Sequence, residues 1–325
     1  MKLAAIFLIC FLFISKLFAD SGVDLTRDFN RLFDNNLQFS SNDFEKLHQS
    51  EIVLVPGILA SAFIDSDDDA PVINLSSLTK DYFGAQLEYF KNIMHLNTVR
   101  LAVSSKNPAI NIERIKRKII SNRNRNIKTV LICHSLGGLA TLDALIELMR
   151  EGREELLSNV LGIVFIQTPF FGSPLADILY DVPSYLLVSL AIPFLGGDSA
   201  IIGYLKSKKR IDIIEKNKKV ISKLIETIPM ISVRTYMEGV SLFKYPRNVM
   251  KRGYLSKMIP WPILYKGPYD KNDGMVPLSS ARLLGIDHIT IKEVDHGMTV
   301  VDTRIRYYDR VKMTKSLVSL LLDKF

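Results

Sequence analysis

The chain of 325 residues is 48% apolar and 23% charged, which excludes a disordered chain, a collagen-like repeat and a small disulfide scaffold. Its 42 Lys and Arg against 34 Asp and Glu leave a formal charge of +8, too modest for a nucleic-acid footprint. One large core is expected, because single α/β folds routinely pass 250 residues.

Residues 1–19 read as a secretory signal. Lys2 gives the positive start, Leu3 to Ser15 carry no charge, and Leu17-Phe18-Ala19 close the segment. As a helix the uncharged run would span about 20 Å, short of the roughly 30 Å hydrocarbon core. The expectation is a cleaved signal and a secreted or periplasmic protein. Its removal leaves Cys133 as the remaining cysteine, so no internal disulfide can form and stability must come from the core.

Residues 20–50 form an N-terminal segment, followed over 51–325 by short β-rich apolar runs alternating with helical ones. That rhythm predicts a mostly parallel sheet covered by helices. Strands are predicted at Ile52 to Val55, Asn97 to Val103, Ile127 to Cys133, Val160 to Gln167, Met230 to Tyr236, Ile263 to Lys266 and His288 to Val294. Apolar residues three and four apart predict helices over Ile110 to Ser121, Leu136 to Arg150 and Thr303 to Phe325. The basic stretch Arg114 to Lys128 reads as a core-facing helix with a charged outer side. A further amphipathic helix is expected over Lys206 to Lys223. The uncharged Val182 to Gly197, interrupted by Pro183 and Pro193, suits neither a membrane span nor this rhythm. It is expected to be an apolar cap within an insertion at about 174–261. Asp65, Asp67, Asp68 and Asp69 lack the spaced ligands of a calcium loop and read as a solvated loop.

The most specific signal is Val130-Leu131-Ile132-Cys133-His134-Ser135-Leu136-Gly137-Gly138. A strand runs into a serine and then into a helix. Such a turn is strained, and the residues two before and two after it must be small, as Cys133 and Gly137 are. The turn lifts the hydroxyl above the sheet, and the Leu136 N–H at the helix start can face a developing oxyanion. A serine of ordinary pKa needs a base, and the chain has five histidines. His48, His95 and His288 precede or open strands and should lie at the far edge. His134 adjoins the serine and is expected to point away. His296 follows the last strand and is the candidate base. The orienting carboxylate is expected at Asp273 in Asn272-Asp273-Gly274, also an ordinary turn sequence, with Asp270 as the nearby rival. Asp295 adjoins His296 and cannot easily fold back onto its ring. A second oxyanion donor is expected at the Ile58 N–H, after the turn at Pro56-Gly57.

These residues resemble the α/β-hydrolase superfamily, in particular bacterial lipases and the lecithin-cholesterol acyltransferase and GPI-inositol-deacylase-like branches. The order Ser135, Asp273, His296 is that superfamily's triad order. Val55-Pro56-Gly57-Ile58 is similar to its oxyanion loop, with Pro56 where many lipases carry histidine. Thr168-Pro169-Phe170-Phe171-Gly172-Ser173 is similar to a segment after its next strand, and Asp295-His296-Gly297 to its histidine loop. Cys133 stands where glycine is usual. The resemblance covers roughly 51–174 and 262–325 and implies an α/β-hydrolase fold, within which the apolar cap has no counterpart and is read from composition alone. Together with the signal segment and the cap it leads to the expectation of an exported serine hydrolase cleaving carboxylic esters of acyl lipids, without cofactor or metal and with peripheral membrane contact through the cap, while the modest charge speaks against a nucleic-acid partner. The same residues would serve acyl transfer to a lipid alcohol, a peptidase, or a catalytically silent lipid- or partner-binding protein.

Overall fold

The structure is a computed structural model that describes residues 22–35, 37–57, 82–104, 106–180, 199–237, 271–302 and 307–324. The signal segment, the aspartates at 65–69, the apolar stretch 182–197, the expected strand at 263–266, Ile58 and Asp270 lie outside the described residues.

In chain order the elements are α1 (Thr26–Asp34), α2 (Ser41–His48), β1 (Ser50–Val55), the short α3 (Gly84–Leu87) continued by a π-helical turn (Glu88–Ile93), β2 (Thr98–Arg100), α4 (Pro108–Asn124), β3 (Lys128–His134), α5 (Leu136–Arg150) and β4 (Val160–Ile166). Then follow α6 (Pro174–Tyr180), α7 (Ser199–Tyr204), α8 (Ser207–Lys216), α9 (Lys218–Thr227), β5 (Met230–Tyr236), β6 (Asp287–Lys292) and α10 (Arg310–Leu322). The strands make one sheet in the order β2-β1-β3-β4-β5-β6, and every pairing is parallel. All carboxyl ends therefore lie on one edge, where the connecting loops can assemble a site.

Period-two alternation divides the core between the two faces of the sheet. Val53, Val55, Leu131, Cys133, Ile163 and Phe165 face one layer with α4, α5, α8 and α9. Ile52, Leu54, Val130, Ile132, Val164, Ile166, Ile231 and Val233 face the other, with α1, α3 and α10. Each such side chain contributes about 1.5–3 kcal/mol on burial. The basic stretch behaves as expected: α4 turns Ile115 and Ile119 inward, while Lys116 reaches Glu147 at 3.1 Å and Glu151 at 2.5 Å across the α4–α5 seam.

The structure adds detail at three places. Residues from 22 onward belong to the same core, since the Leu25 N–H donates to the His288 carbonyl of β6, the His288 N–H donates to the Val23 carbonyl, and Phe29 is 1% exposed. The helix expected over 206–223 is two helices, because Asn217 donates its side-chain amide to the Ile213 carbonyl at 2.8 Å and its backbone N–H to the same turn. A carboxyl-terminal carbonyl satisfied in this way ends the helix. Within the stretch assigned to the cap insertion, Met230–Tyr236 is β5, paired to β4 and β6. This is the strand expected at Met230 to Tyr236, and it joins that part of the chain to the central sheet.

α7, α8 and α5 are joined by a buried ion pair. Arg210 donates to Asp143 through both terminal nitrogens at 2.7 and 2.9 Å, and the Tyr204 hydroxyl donates to the same carboxylate. Arg210 is fully buried, and burial together with the neighbouring Asp143 charge holds the Tyr204 phenol well above its ordinary pKa. Removing one member of a buried pair strands the other. Arg210→Met is expected to lower unfolding free energy by about 3–5 kcal/mol in urea titration, whereas Arg117→Met should change it by less than about 1 kcal/mol, because Arg117 pairs with Glu113 at the surface.

Candidate active site

β3 ends at His134 and α5 begins at Leu136, so Ser135 alone makes the reversal from strand to helix. Its φ of 54° and ψ of −123° are costly for a residue with a Cβ. The Ser135 N–H donates to the Ile166 carbonyl at 2.9 Å, and its own carbonyl accepts from Gly138 N–H at 3.0 Å. The turn also needs bare neighbours. A Cβ on Gly137 would lie 2.4 Å from the Pro56 carbonyl oxygen, and one on Gly57 would lie 2.8 Å from Ser135 Cβ. Cys133 meets the same demand on the strand side. Its sulfur lies 3.2 Å from Thr141 Oγ1, whose own hydrogen goes to the Gly137 carbonyl.

The carboxyl edge brings the three expected residues together. Ser135 Oγ is 2.8 Å from His296 Nε2, and His296 Nδ1 is 2.8 Å from Asp273 Oδ2. Asp273 is aimed by its own turn: Oδ1 accepts the Met275 and Val276 N–H groups at 2.9 and 2.7 Å, leaving Oδ2 for the imidazole. The Asp273 carbonyl also accepts the His296 N–H at 2.9 Å, so the acid and histidine loops are tied by backbone and side chain alike. The turn reading and the acid reading of Asn272-Asp273-Gly274 are thus one structure. Asp295 accepts from Gly297 and Met298 N–H at 2.9 Å each, which turns its carboxylate away from the His296 ring, as its sequence position implied. The Leu136 N–H is the first of α5, where helix donors have no partner within the helix.

The Thr168–Ser173 segment supports the acid loop from behind. The Ser173 hydroxyl donates to the Met275 carbonyl at 2.7 Å, and Ser280 Oγ donates to the Gly172 carbonyl. Gly172 has φ 83°, and a Cβ there would meet Ser207 Cα at 2.4 Å.

His134 directs its ring nitrogens to groups other than Ser135. Its ring lies across His296, with centroids 4.7 Å apart, and both nitrogens are engaged elsewhere: Nε2 faces the His296 carbonyl at 2.9 Å and Gln167 Oε1 at 3.0 Å. Burial, then the nearby His296, holds its pKa well below the ordinary imidazole value, so the ring is neutral. The sequence reading missed Gln167, which is fully buried at φ 51°. Its amide donates to the Asp295 carbonyl at 3.0 Å, and its oxygen accepts the Thr299 hydroxyl at 2.8 Å. The available signal was a polar residue closing an otherwise apolar strand. Among the described residues no three His, Cys, Asp or Glu side chains converge as a metal site, and no helix is long and apolar enough to cross a membrane.

The fold has solved counterparts. A metagenomic carboxyl esterase superposes with a TM-score of 0.62 at 18% identity, covering 89% of this chain and 78% of that one. A lipase of Bacillus licheniformis in its mature form superposes at 0.56 and 17% identity, covering 84% and 92%. Its propeptide form gives 0.52 at 17%, covering 76% and 46%. No family model matches the chain, and no curated protein sequence matches it. The six-stranded parallel sheet flanked by helices is the α/β-hydrolase fold.

Burial pushes the Cys133 thiol up to about 12, and the thiolate is the reactive form. At pH 8 iodoacetamide is expected to leave Cys133 of the native protein unmodified over a time in which the urea-unfolded chain is fully alkylated, as read by peptide mass spectrometry. Equal rates would place Cys133 outside the packed elbow.

Proposed function

We propose that the protein is an exported serine hydrolase that cleaves carboxylic esters of acyl lipids through an acyl-enzyme. The observation that carries the reading is the continuous Ser135–His296–Asp273 chain at 2.8 Å per link, with the serine on a backbone turn that raises its hydroxyl over the sheet edge. The esterase and lipase activities named for the superposed structures support the ester class. The lipid preference rests on the uncharged composition of Val182 to Gly197, read from the sequence as a cap.

In the proposed cycle Ser135 Oγ attacks the ester carbonyl carbon while His296 Nε2 takes its proton. Asp273 holds the other ring proton on Nδ1 and stabilises the imidazolium that forms. The carbonyl oxygen gains the electron pair and is met by the Leu136 N–H and, in this reading, the Ile58 N–H. Collapse breaks the C–O bond to the leaving alcohol, which receives the proton from His296. Water then attacks the acyl carbon, His296 takes its proton, and the carboxylic acid leaves as Ser135 recovers its hydrogen.

Ser135→Ala and His296→Ala are expected to lower turnover of p-nitrophenyl butyrate by about 10⁴-fold or more, with Ser135→Ala also losing covalent fluorophosphonate labelling. Asp273→Asn should cost about 10⁴-fold by leaving the ring in the wrong tautomer. Wild-type turnover in Ser135→Ala would refute the reading. For export, mass spectrometry of protein recovered outside the cytoplasm is expected to give an N-terminus near Asp20, and recovery of the full-length chain in membranes would reject that part.

A further inference from the structure

Behind Ser135 a chain of buried polar groups runs from the histidine loop to the loop after β1, and the direction of each hydrogen bond in it can be assigned. A carbonyl only accepts, so the His296 carbonyl at 2.9 Å from His134 Nε2 requires a proton on that nitrogen. Gln167 agrees. Its Nε2 is spent on the Asp295 carbonyl, which turns its Oε1 acceptor to the same His134 nitrogen at 3.0 Å. In a neutral ring Nδ1 then carries only a lone pair, and its neighbour is the Tyr82 hydroxyl. Tyr82 must donate to it, and the phenolic oxygen is left to accept the Gly57 N–H at 3.1 Å.

Tyr82 is itself a rigid anchor. Its carbonyl accepts Arg100 Nη1 at 2.7 Å, the N–H of Phe83, at φ 58°, donates to the Val300 carbonyl at 2.8 Å, and the Tyr82 side chain is buried. The peptide that it holds is the one lying directly on the serine, since the space for a Cβ at Gly57 is closed by Ser135 Cβ, the Tyr82 hydroxyl and the His134 carbonyl oxygen at 2.8, 2.9 and 3.0 Å. The Gly57 N–H is therefore committed to Tyr82 and fixes how this loop approaches Ser135.

We infer that Tyr82 and His134 are positioning residues for the reaction, orienting the Gly57 peptide over Ser135 through a one-way chain of hydrogen bonds without touching substrate. This inference rests on the proposed function, with Ser135 as the nucleophile and an oxyanion donor in the loop after Gly57. An oxyanion is stabilised only by donors placed to within a few tenths of an ångström of where charge develops, so loosening this loop weakens the transition state more than substrate binding.

The test uses the full chain with p-nitrophenyl butyrate, turnover being expressed per serine titrated by a fluorophosphonate so that unfolded molecules drop out. Tyr82→Phe keeps the ring and removes the hydroxyl. It is expected to lower kcat about 10- to 100-fold with KM within about twofold of wild type. His134→Asn, whose amide oxygen can replace the Nδ1 acceptor, should retain at least about fivefold more kcat than His134→Leu, whose side chain offers Tyr82 no acceptor. Because the two residues act in one chain, the Tyr82→Phe/His134→Leu double variant should be about as impaired as the worse single variant. Wild-type kcat per titrated serine in Tyr82→Phe, or His134→Asn no better than His134→Leu, would overturn the inference. If Ser135→Ala is inactive while Tyr82→Phe is unaffected, the positioning role alone falls; if Ser135→Ala turns over normally, the nucleophile assignment falls first.

Discussion

A single residue in an unfavourable backbone conformation sets the terms for the rest of the molecule. Ser135 at φ 54° and ψ −123° costs of order 1–3 kcal/mol, and such strain persists only where the surroundings over-determine it. Here they do. The parallel strands β1 and β4 flank β3, and the Ser135 N–H continues the β3–β4 ladder into the turn by donating to Ile166. On the other side the Val55 and Pro56 carbonyls press against Gly137, where a Cβ would come within 2.5 Å of both. Thr168 fills the space beside Gly138, where a Cβ would meet Thr168 Oγ1 at 1.9 Å. The small residues around the serine are a consequence of that close approach, and the close approach follows from turning a central strand into a helix within one residue.

The sheet supplies position, and the loops at its carboxyl edge supply chemistry. Asp273, His296 and Gly57 each follow a different part of the chain, yet backbone bonds tie the acid loop to the histidine loop and side chains tie both to the sheet. Gln167 is the main connection. It stands one residue beyond β4, its N–H donates to the Val233 carbonyl of β5, and its side chain holds Asp295, Thr235 and Thr299. A buried amide with its bonds satisfied at this place converts sheet register into loop position, and partial satisfaction there would be expensive.

Much of this was legible from local patterns. The strand-serine-helix run fixed β3, Ser135 and α5 because each neighbour had to be small or apolar, and Met230 to Tyr236 matched β5 because a buried parallel strand is a short apolar run. Asp273 was legible only as one of two readings, since a turn aspartate and an acid that orients a histidine present the same residues. Adjacency to Ser135 excludes His134 as its partner but does not show what the ring meets on its other side, which is Tyr82, Gln167 and the His296 loop. Tyr82 and Gln167 carry no local signature. The side-chain partners of the two are 25 to 132 residues distant in the chain, so a sequence pattern could show a polar residue at the end of a strand but not what it meets.

The closeness of two imidazoles raises an electrostatic problem that the fold resolves. In the proposed cycle His296 accepts a proton as Ser135 attacks, and a second cation with its ring centroid 4.7 Å away would oppose that step. His134 is kept neutral by burial and by bonding in a fixed sense, with its Nε2–H spent on the His296 and Gln167 oxygens and Nδ1 occupied by Tyr82. The arrangement therefore places a histidine beside the base without a competing charge, and the Asp273 carboxylate is left to His296 and to the amides of its own turn. The bond from His134 to the His296 carbonyl also fixes the backbone from which the base projects. One neutral ring thus steadies the His296 backbone and anchors the hydroxyl that holds Gly57, joining the histidine loop to the loop after β1.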